Sequence, residues 1–341
     1  MQVQNKRMAR MTSIYARAMI RSRFRPTPLW VILYLTRRCN LSCRYCFSKD
    51  NSAPELDTKQ IFRVIDKLQS LGCSTVGLFG GEPTLRKDLP EIINYVYKKR
   101  MITHLSTNGT MLTRPYIEEL ARAGLDIFNL SIDSVYEYDV SNKDYTTQKK
   151  VLSDLVEMRK IYGFDINTAF VLSRKNYHIA VDTVKLMHTS KIPITIALIT
   201  RNTGNPKAKQ DEDLFFKTSE DKKNLCRVLD DLIEMKKNRY HIINSISYFN
   251  DSKKHVDGKY DDWDCIAGKY AFSVESNGEF QICPGLPAEK VSIFDIDKNY
   301  HKKYEESRLR QLSVCRKICM TACMYETGYY QKHPWDIFRD R

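Results

Sequence analysis

The chain has 341 residues, of which 42% are apolar and 28% charged, which puts it among globular proteins with room for a full buried core. No apolar run reaches the roughly 18 residues of a membrane-spanning helix, and the start lacks the unbroken apolar stretch of a secretory signal. The formal charge of +14 points to an anionic partner: nucleic acid, anionic lipid, or an acidic substrate or protein.

Much of that charge is N-terminal. No Asp or Glu precedes Asp50, while Lys6, Arg7, Arg10, Arg17, Arg21, Arg23 and Arg25 all precede Pro26. Met8, Met11, Tyr15, Ala18 and Met19 recur at helical spacing, so residues 1–29 form a basic amphipathic segment. It either meets a membrane surface or partner, or closes the bottom of a barrel with its arginines in water. The second role is favoured.

From Trp30 the chain alternates strand and helix. Residues 30–35 (WVILYL) are apolar and unbroken, as a buried parallel strand should be. Residues 57–71 place Ile61, Val64, Ile65, Leu68 and Leu71 on one helical face, with Asp57 as N-cap. Strands follow at 75–79, 103–106, 126–132, 165–172 and 193–200, and helices at 89–100, from Thr113 to Gly124, at 147–161 and at 176–189. This repeat predicts an α/β fold with a parallel sheet curled into an incomplete barrel. Residues 201–224 are polar and read as an insertion or lid, 225–237 as a helix, and 250–262 as a polar boundary.

Five polar segments fall just past strand ends, at Cys39, Gly80, Asn108, Asp133 and Arg174. That is the rim where α/β barrels build active sites. Cys39, Cys43 and Cys46 form a C-x3-C-x2-C run in LTRRCNLSCRYC. Three thiolates this close can each hold one iron of a [4Fe–4S] cluster; four cysteines are the norm, so a three-cysteine site leaves one iron open. Zinc and ordinary buried thiols are the alternatives. Zinc, however, favours a second Cys pair or His, and none lies nearby.

With Gly80, Gly81, Glu82 and Pro83 (GGEP) after the second strand, the chain resembles the radical S-adenosylmethionine (SAM) superfamily over about residues 30–200. The resemblance implies a (β/α)6 partial barrel with SAM chelated to the open iron. It also implies an aromatic residue before the third Cys, here Tyr45, and a GGEP loop that receives the SAM amino group. Reductive cleavage of SAM would then give a 5′-deoxyadenosyl radical that abstracts a hydrogen atom. On that reading Glu82 orients the SAM ammonium. Ser106, Asn108, Ser131 and Asp133 are rim donors and acceptors for ribose or other polar SAM groups, and Arg174 pairs with the SAM carboxylate. Where many relatives carry an Arg after the fourth strand, this chain has EYDVSNKDY, with Lys143 as the nearest cation. No catalytic residue is assigned.

Ten cysteines, most of them clustered, with no export signal, argue for a reducing cytoplasm rather than disulfides. Cys265 and Cys283 flank FSVESNG, in which Asn277-Gly278 is a strong hairpin turn. Their C-x12-G-x4-C spacing resembles the SPASM and twitch auxiliary-cluster domains. Cys315, Cys319 and Cys323 follow at four-residue spacing, on one helix face or on a loop. The resemblance implies a second [4Fe–4S] cluster on Cys265, Cys283 and two of those three; a zinc site is the alternative. Cys73 and Cys226 read as core residues.

The resulting layout is a basic segment (1–29), a radical SAM barrel (30–200), a polar insertion with a connecting helix (201–258), and a small cysteine-rich domain (259–341). Expected partners are an electron donor such as flavodoxin or ferredoxin and a small-molecule, lipid or peptide substrate. Were there contact at a membrane surface, the N-terminal helix would make it, the less favoured of its two roles. Twenty-nine residues before the first strand are too few for the peptide-recognition domain many SPASM enzymes carry, so a leader peptide would need a separate capture protein. The competing readings are a nucleic-acid-binding or -modifying protein, disfavoured because no such motif appears, and a non-catalytic iron–sulfur carrier, disfavoured by GGEP.

Overall fold

The computed structural model describes residues 2–201, 209–256, 265–315 and 320–336. The elements run α1 (Gln2–Phe24), β1 (Trp30–Thr36), α2 (Thr58–Leu71), β2 (Thr75–Gly80), α3 (Leu89–Lys98), β3 (Ile102–Thr107) and α4 (Arg114–Ala123). They continue with β4 (Ile127–Ser131), α5 (Tyr145–Tyr162), β5 (Asp165–Leu172), α6 (Ala180–Thr189), β6 (Ile194–Leu198), α7 (Ser219–Lys237) and α8 (Ile246–Val256). The C-terminal part holds β7 (Ala271–Val274), β8 (Phe280–Gln281), α9 (Tyr300–Lys303), α10 (Glu305–Cys315) and α11 (Ala322–Lys332). No helix among the described residues is long and apolar enough to cross a membrane.

The sheet order is β6-β5-β4-β3-β2-β1-β7-β8. The pairs from β6 through β1 to β7 are parallel, and only β8 runs antiparallel. Residues in register share a face, so the pairing separates two surfaces. Leu105, Phe128 and Ile166 form one row, fully buried under the helices. On the other face Ser106, Asn129 and Asn167 form a row, with Ser131, Ala169 and Thr195 as the next. That inner face is polar but carries no charge in these two rows, and most of it is only half-buried.

Local signals set the helix ends. Asp57 and Gln60 make a reciprocal capping box on α2. Thr113 caps the start of α4, and Gly124, at φ 105°, ends it in the left-handed conformation that glycine adopts without strain.

α1 lies across the N-terminal ends of the strands. Arg7 donates to Ala121 O (3.2 Å), and Arg10 donates to Asp126 Oδ1 (2.8 Å) and Met101 O (2.8 Å). Arg21 donates to Gly72 O (3.3 Å) at the C-cap of α2. The expected floor helix is present, but these three arginines are not simply solvated. They bond carbonyls near helix ends and strand starts, and Arg10 also pairs with the buried Asp126 carboxylate.

Two polar stretches are more regular than their composition suggests. α7 begins at Ser219, inside the supposed insertion, because Thr218 and Asp221 form a capping box on an exposed first turn. The boundary segment is helical up to Val256, with Tyr248, Phe249 and Ser252 buried. Residues 202–208 of the insertion and 257–264 of the boundary lie outside the described residues. Asn244 bonds both the N–H and the C=O of Ile196, and so covers the outer edge of β6.

Candidate active site at the strand C-terminal rim

The cysteine loop leaves β1 at Thr36 and is fastened at once to the GGEP turn. Gly81 N donates to Thr36 O (2.8 Å) and Glu82 N to Arg38 O (2.8 Å). A Cβ on Gly81 would lie 2.3 Å from Arg38 O, and one on Gly80 2.5 Å from Thr36 O. The two glycines therefore permit a backbone-to-backbone approach that no side chain allows. On its other flank Arg37 forks onto Glu275 Oε2 through Nε (3.0 Å) and Nη2 (2.6 Å), and lies over the Tyr34 ring.

Cys39, Cys43 and Cys46 are all half-buried. Cys39 Sγ accepts the N–H of Leu41 (3.4 Å), and Cys46 Sγ accepts that of Ser48 (3.3 Å). In the tail Cys265 Sγ accepts the N–H of Ala267 in the same way (3.5 Å). Two thiols donate instead: Cys73 in the core to Thr75 O (3.3 Å) and, in the loop itself, Cys43 to Ser141 O (3.5 Å). Burial pushes the Cys43 thiol up to about 11, with Lys143 pulling it down and Asp133 pushing it up. Burial also raises Cys39.

Glu82 is 1% exposed. Its Oε1 accepts Thr84 N (3.1 Å), Thr84 Oγ1 (2.6 Å) and Thr107 Oγ1 (2.7 Å), and its Oε2 accepts Asn108 N (2.7 Å). The carboxylate ties the end of β2 to the end of β3, and Pro83 opens the short 3-10 turn that it caps. Asn108 turns its Nδ2 to Asn40 Oδ1 (2.9 Å), 4.0 Å from Cys39 Sγ.

Asp133, fully buried, is the second hub. Its Oδ2 accepts Tyr45 Oη (2.5 Å) and Ser141 Oγ (2.8 Å) and faces Lys143 Nζ at 3.4 Å; its Oδ1 accepts Val171 N (3.0 Å). The Lys143 ammonium lies 5.0 Å from the Tyr45 ring centre. Burial disfavours its charge, but Asp133, then Cys43 and Cys46, outweigh this and hold it above its usual range. Burial first, then Asp133, raises the Tyr45 phenol.

The rim thus gathers Cys39, Cys43, Cys46, Tyr45, Gly80, Gly81, Glu82, Pro83, Asn108 and Asp133. Ser106 and Ser131 lie just below them on the inner face. Arg174 stands apart, with its guanidinium on Asp221 (2.9 Å) at the start of α7. The cation beside Asp133 is Lys143. Sequence reading did not single out Asn129 and Asn167; polar residues at alternate positions of otherwise apolar strands were the available signal.

In the tail, Cys265, Cys283 and Cys315 are buried and Cys323 half-buried in the main core, while Cys319 lies outside the described residues. Cys315 ends α10 and Cys323 falls in the first turn of α11, so they do not share a helix. Arg308 Nε bonds Ala267 O (2.7 Å), and a second guanidinium nitrogen bonds Cys265 O, which pins α10 to the Cys265 segment.

The fold and rim define an open α/β barrel with a cysteine loop at its mouth. Residues 33–200 match the family model described as the Radical SAM superfamily, so this part of the chain is a radical SAM domain. Fe-coproporphyrin III synthase of Methanosarcina barkeri is 31% identical over 171 residues, covering 48% of this chain and 42% of that one. PqqA peptide cyclase of Granulibacter bethesdensis is 32% identical over 157 residues, covering 44% and 41%. The chain thus spans about two fifths of the length of these curated relatives. Streptococcus suis SuiB, solved with its precursor peptide SuiA, shares the fold at TM-score 0.65 and 17% identity, over 86% of this chain and 70% of that one. The structure titled native anSMEcpe with bound AdoMet does so at TM-score 0.60 and 17% identity, over 92% and 98%.

The rim residues fit an iron–sulfur cluster. The donors are three thiols: Cys39 and Cys46 accept N–H···S bonds, and the buried Lys143 ammonium stands by Cys43 and Cys46, and both features favour thiolates. Among the described residues no three His, Cys, Asp or Glu side chains converge on a single-ion site. A cubane does not need that convergence, because it offers each thiolate a separate iron.

Proposed function

We propose that the chain is a radical SAM enzyme acting on a peptide-type substrate. Cys39, Cys43 and Cys46 would hold a [4Fe–4S] cluster, and SAM would lie between the cysteine loop, the GGEP turn and the inner-face residues Ser106 and Ser131. Bound there, the cluster would supply an electron to SAM, leaving methionine and a 5′-deoxyadenosyl radical. The chain's own residues do the rest: Glu82 and Asp133 freeze the strand ends around the loop, and Lys143 offsets negative charge at Cys43 and Cys46. The observation that carries this reading is the placement of Cys39, Cys43 and Cys46 on the loop that the GGEP turn fastens at the strand ends, with the buried Lys143 ammonium beside Cys43 and Cys46.

A peptide-type substrate is supported by the relatives named as a peptide cyclase and as bound to a precursor peptide. The uncharged polar inner face suits backbone amides, which need paired donors and acceptors. We further propose a second cluster on Cys265, Cys283 and two of Cys315, Cys319 and Cys323, making the net reaction an oxidation or crosslink. A flavodoxin or ferredoxin would donate the electron, in a reducing cytoplasm. The N–H···S bond at Cys265 supports that second site.

The test is anaerobic reconstitution with iron and sulfide, followed by SAM and dithionite. About eight irons per chain are expected, falling to about four when Cys39, Cys43 and Cys46 are replaced by Ala, with 5′-deoxyadenosine formed only by the unaltered chain. About four irons in the unaltered chain would remove the second cluster. Intact clusters without 5′-deoxyadenosine, even with peptide present, would favour an iron–sulfur carrier.

A further inference from the structure

The barrel uses only one face of α1. Ile14, Ala18, Met19 and Ser22 are buried, with Ala18 and Met19 packed against Leu29 and Tyr270. On the opposite face Ile20 is 63% and Phe24 86% exposed, one helical turn apart. Exposed Arg17, Arg21 and Arg23 flank this apolar pair, and Arg25 follows it. Among the described residues, none of Arg17, Arg23 and Arg25 is ion-paired. The fold adds charge from a distant segment: burial and the nearby Lys302, Lys269 and Arg25 push the His301 imidazole down, with Glu305 as the opposing carboxylate. Lys269 is paired with Glu305 at 3.3 Å, while Lys302 is exposed.

An exposed Phe and Ile inside a ring of arginines has no use for the core, and it does not suit a purely ionic partner. Duplex nucleic acid would take the arginines and leave the Ile wet. A bilayer carrying anionic lipid takes both, with phosphates for the guanidiniums and the acyl boundary for Ile20 and Phe24. We propose that this face of α1 seats the protein on an anionic membrane surface. α1 binds Met101 and Asp126 at the strand starts, whereas Cys39, Gly81 and Asn108 follow the strand ends. Seated this way, the barrel mouth opens away from the lipid and takes its substrate from the aqueous side. The docking does not depend on the enzymatic reading, and its test needs no turnover.

The experiment is flotation of the full chain with phosphatidylcholine vesicles, with and without phosphatidylglycerol. Binding is expected only with phosphatidylglycerol, and high salt should weaken it. Each of R17A, R23A and R25A should weaken partitioning about five-fold. Phe24→Ser and Ile20→Ser should also release the protein, with melting temperatures unchanged because both side chains are exposed. Phe24→Trp should shift its emission to the blue on phosphatidylglycerol vesicles alone. Equal binding to both vesicle types, no binding to either, or binding that Phe24→Ser leaves unchanged would overturn the proposal. So would tighter binding to duplex DNA at the same salt, which would make the patch a polyanion site.

Discussion

Glu82 and Asp133 are buried carboxylates on nearby strand ends, and they are stabilised in different ways. Glu82 has four neutral donors and no cation, which is how a carboxylate survives burial without an ion pair. Asp133 has three neutral donors and the Lys143 ammonium besides, so removing its carboxylate would leave a buried Lys143 without its counter-charge. Deeper on the inner face, His104 is in register with Gly77 and Ile127 and packs on Trp30 (4.9 Å) and Phe79 (5.9 Å). Burial pushes its pKa from 6.5 down to about 4. Between those values the unfolded chain binds a proton that the folded chain refuses. Its contribution to stability is therefore whole above pH 6.5 and is lost as the pH falls toward 4, at about 1.4 kcal/mol per pH unit. His104→Phe should remove that loss. Urea midpoints of wild type should drop more between pH 7 and pH 5 than those of the variant, by about 2 kcal/mol in stability. The other histidines are common to both proteins and cancel. Equal pH dependence would mean that His104 accepts its proton while folded.

The β2–GGEP turn and the cysteine loop work as one element, because Gly81 presses on the backbone of Arg37 and Arg38. Backbone oxygens cannot swing aside as a side chain would, so Gly81→Ala should cost about 1–3 kcal/mol and open the loop. Its expected signature is loss of iron loading at Cys39, Cys43 and Cys46 with far-ultraviolet dichroism preserved. Iron content equal to wild type would show that the two segments can part without harm. Elements of this kind were legible in the sequence. The strands of the barrel announce themselves as apolar runs, Asp57, Thr113 and Gly124 mark helix ends, and the Cys and GGEP motifs fall where strands stop. What the sequence hid was polar. The first turn of α7 carries no apolar period because its residues serve the Thr218–Asp221 cap and the Arg174 ion pair rather than the core. The partner of Arg174 could not be read because Asp221 lies on another helix. The hub at Asp133 draws Tyr45, Ser141, Lys143 and Val171 from separate segments, and no local spacing records such convergence. The arginines of α1 read as solvated because most of their acceptors are carbonyls, which every residue carries, and the carboxylate that Arg10 meets, Asp126, lies far along the chain.

At the scale of the whole molecule, the C-terminal hairpin continues the barrel sheet. β7 pairs in parallel with β1, from Trp30 with Ala271 to Leu33 with Val274, so β1 is an interior strand. The cysteine loop that leaves β1 is therefore held from both sides. Glu82 and Gly81 grip it from β2, and Glu275, in the hairpin turn after β7, grips Arg37. Ser276 adds two bonds to the segment beyond the loop, donating to Pro54 O (2.8 Å) and accepting Leu56 N (2.8 Å). A chain ending at Val256 keeps Cys39, Cys43 and Cys46 but turns β1 into an open edge with unpaired N–H and C=O groups. It also leaves the Arg37 guanidinium, held in the fold with little exposure, without its carboxylate. The truncated chain should aggregate or melt without cooperativity, and should bind far fewer than the roughly four irons that its three cysteines could hold. A soluble, cooperatively melting fragment that loads those irons fully would show that the barrel holds its cluster loop without the tail. The tail would then serve its own cysteines alone.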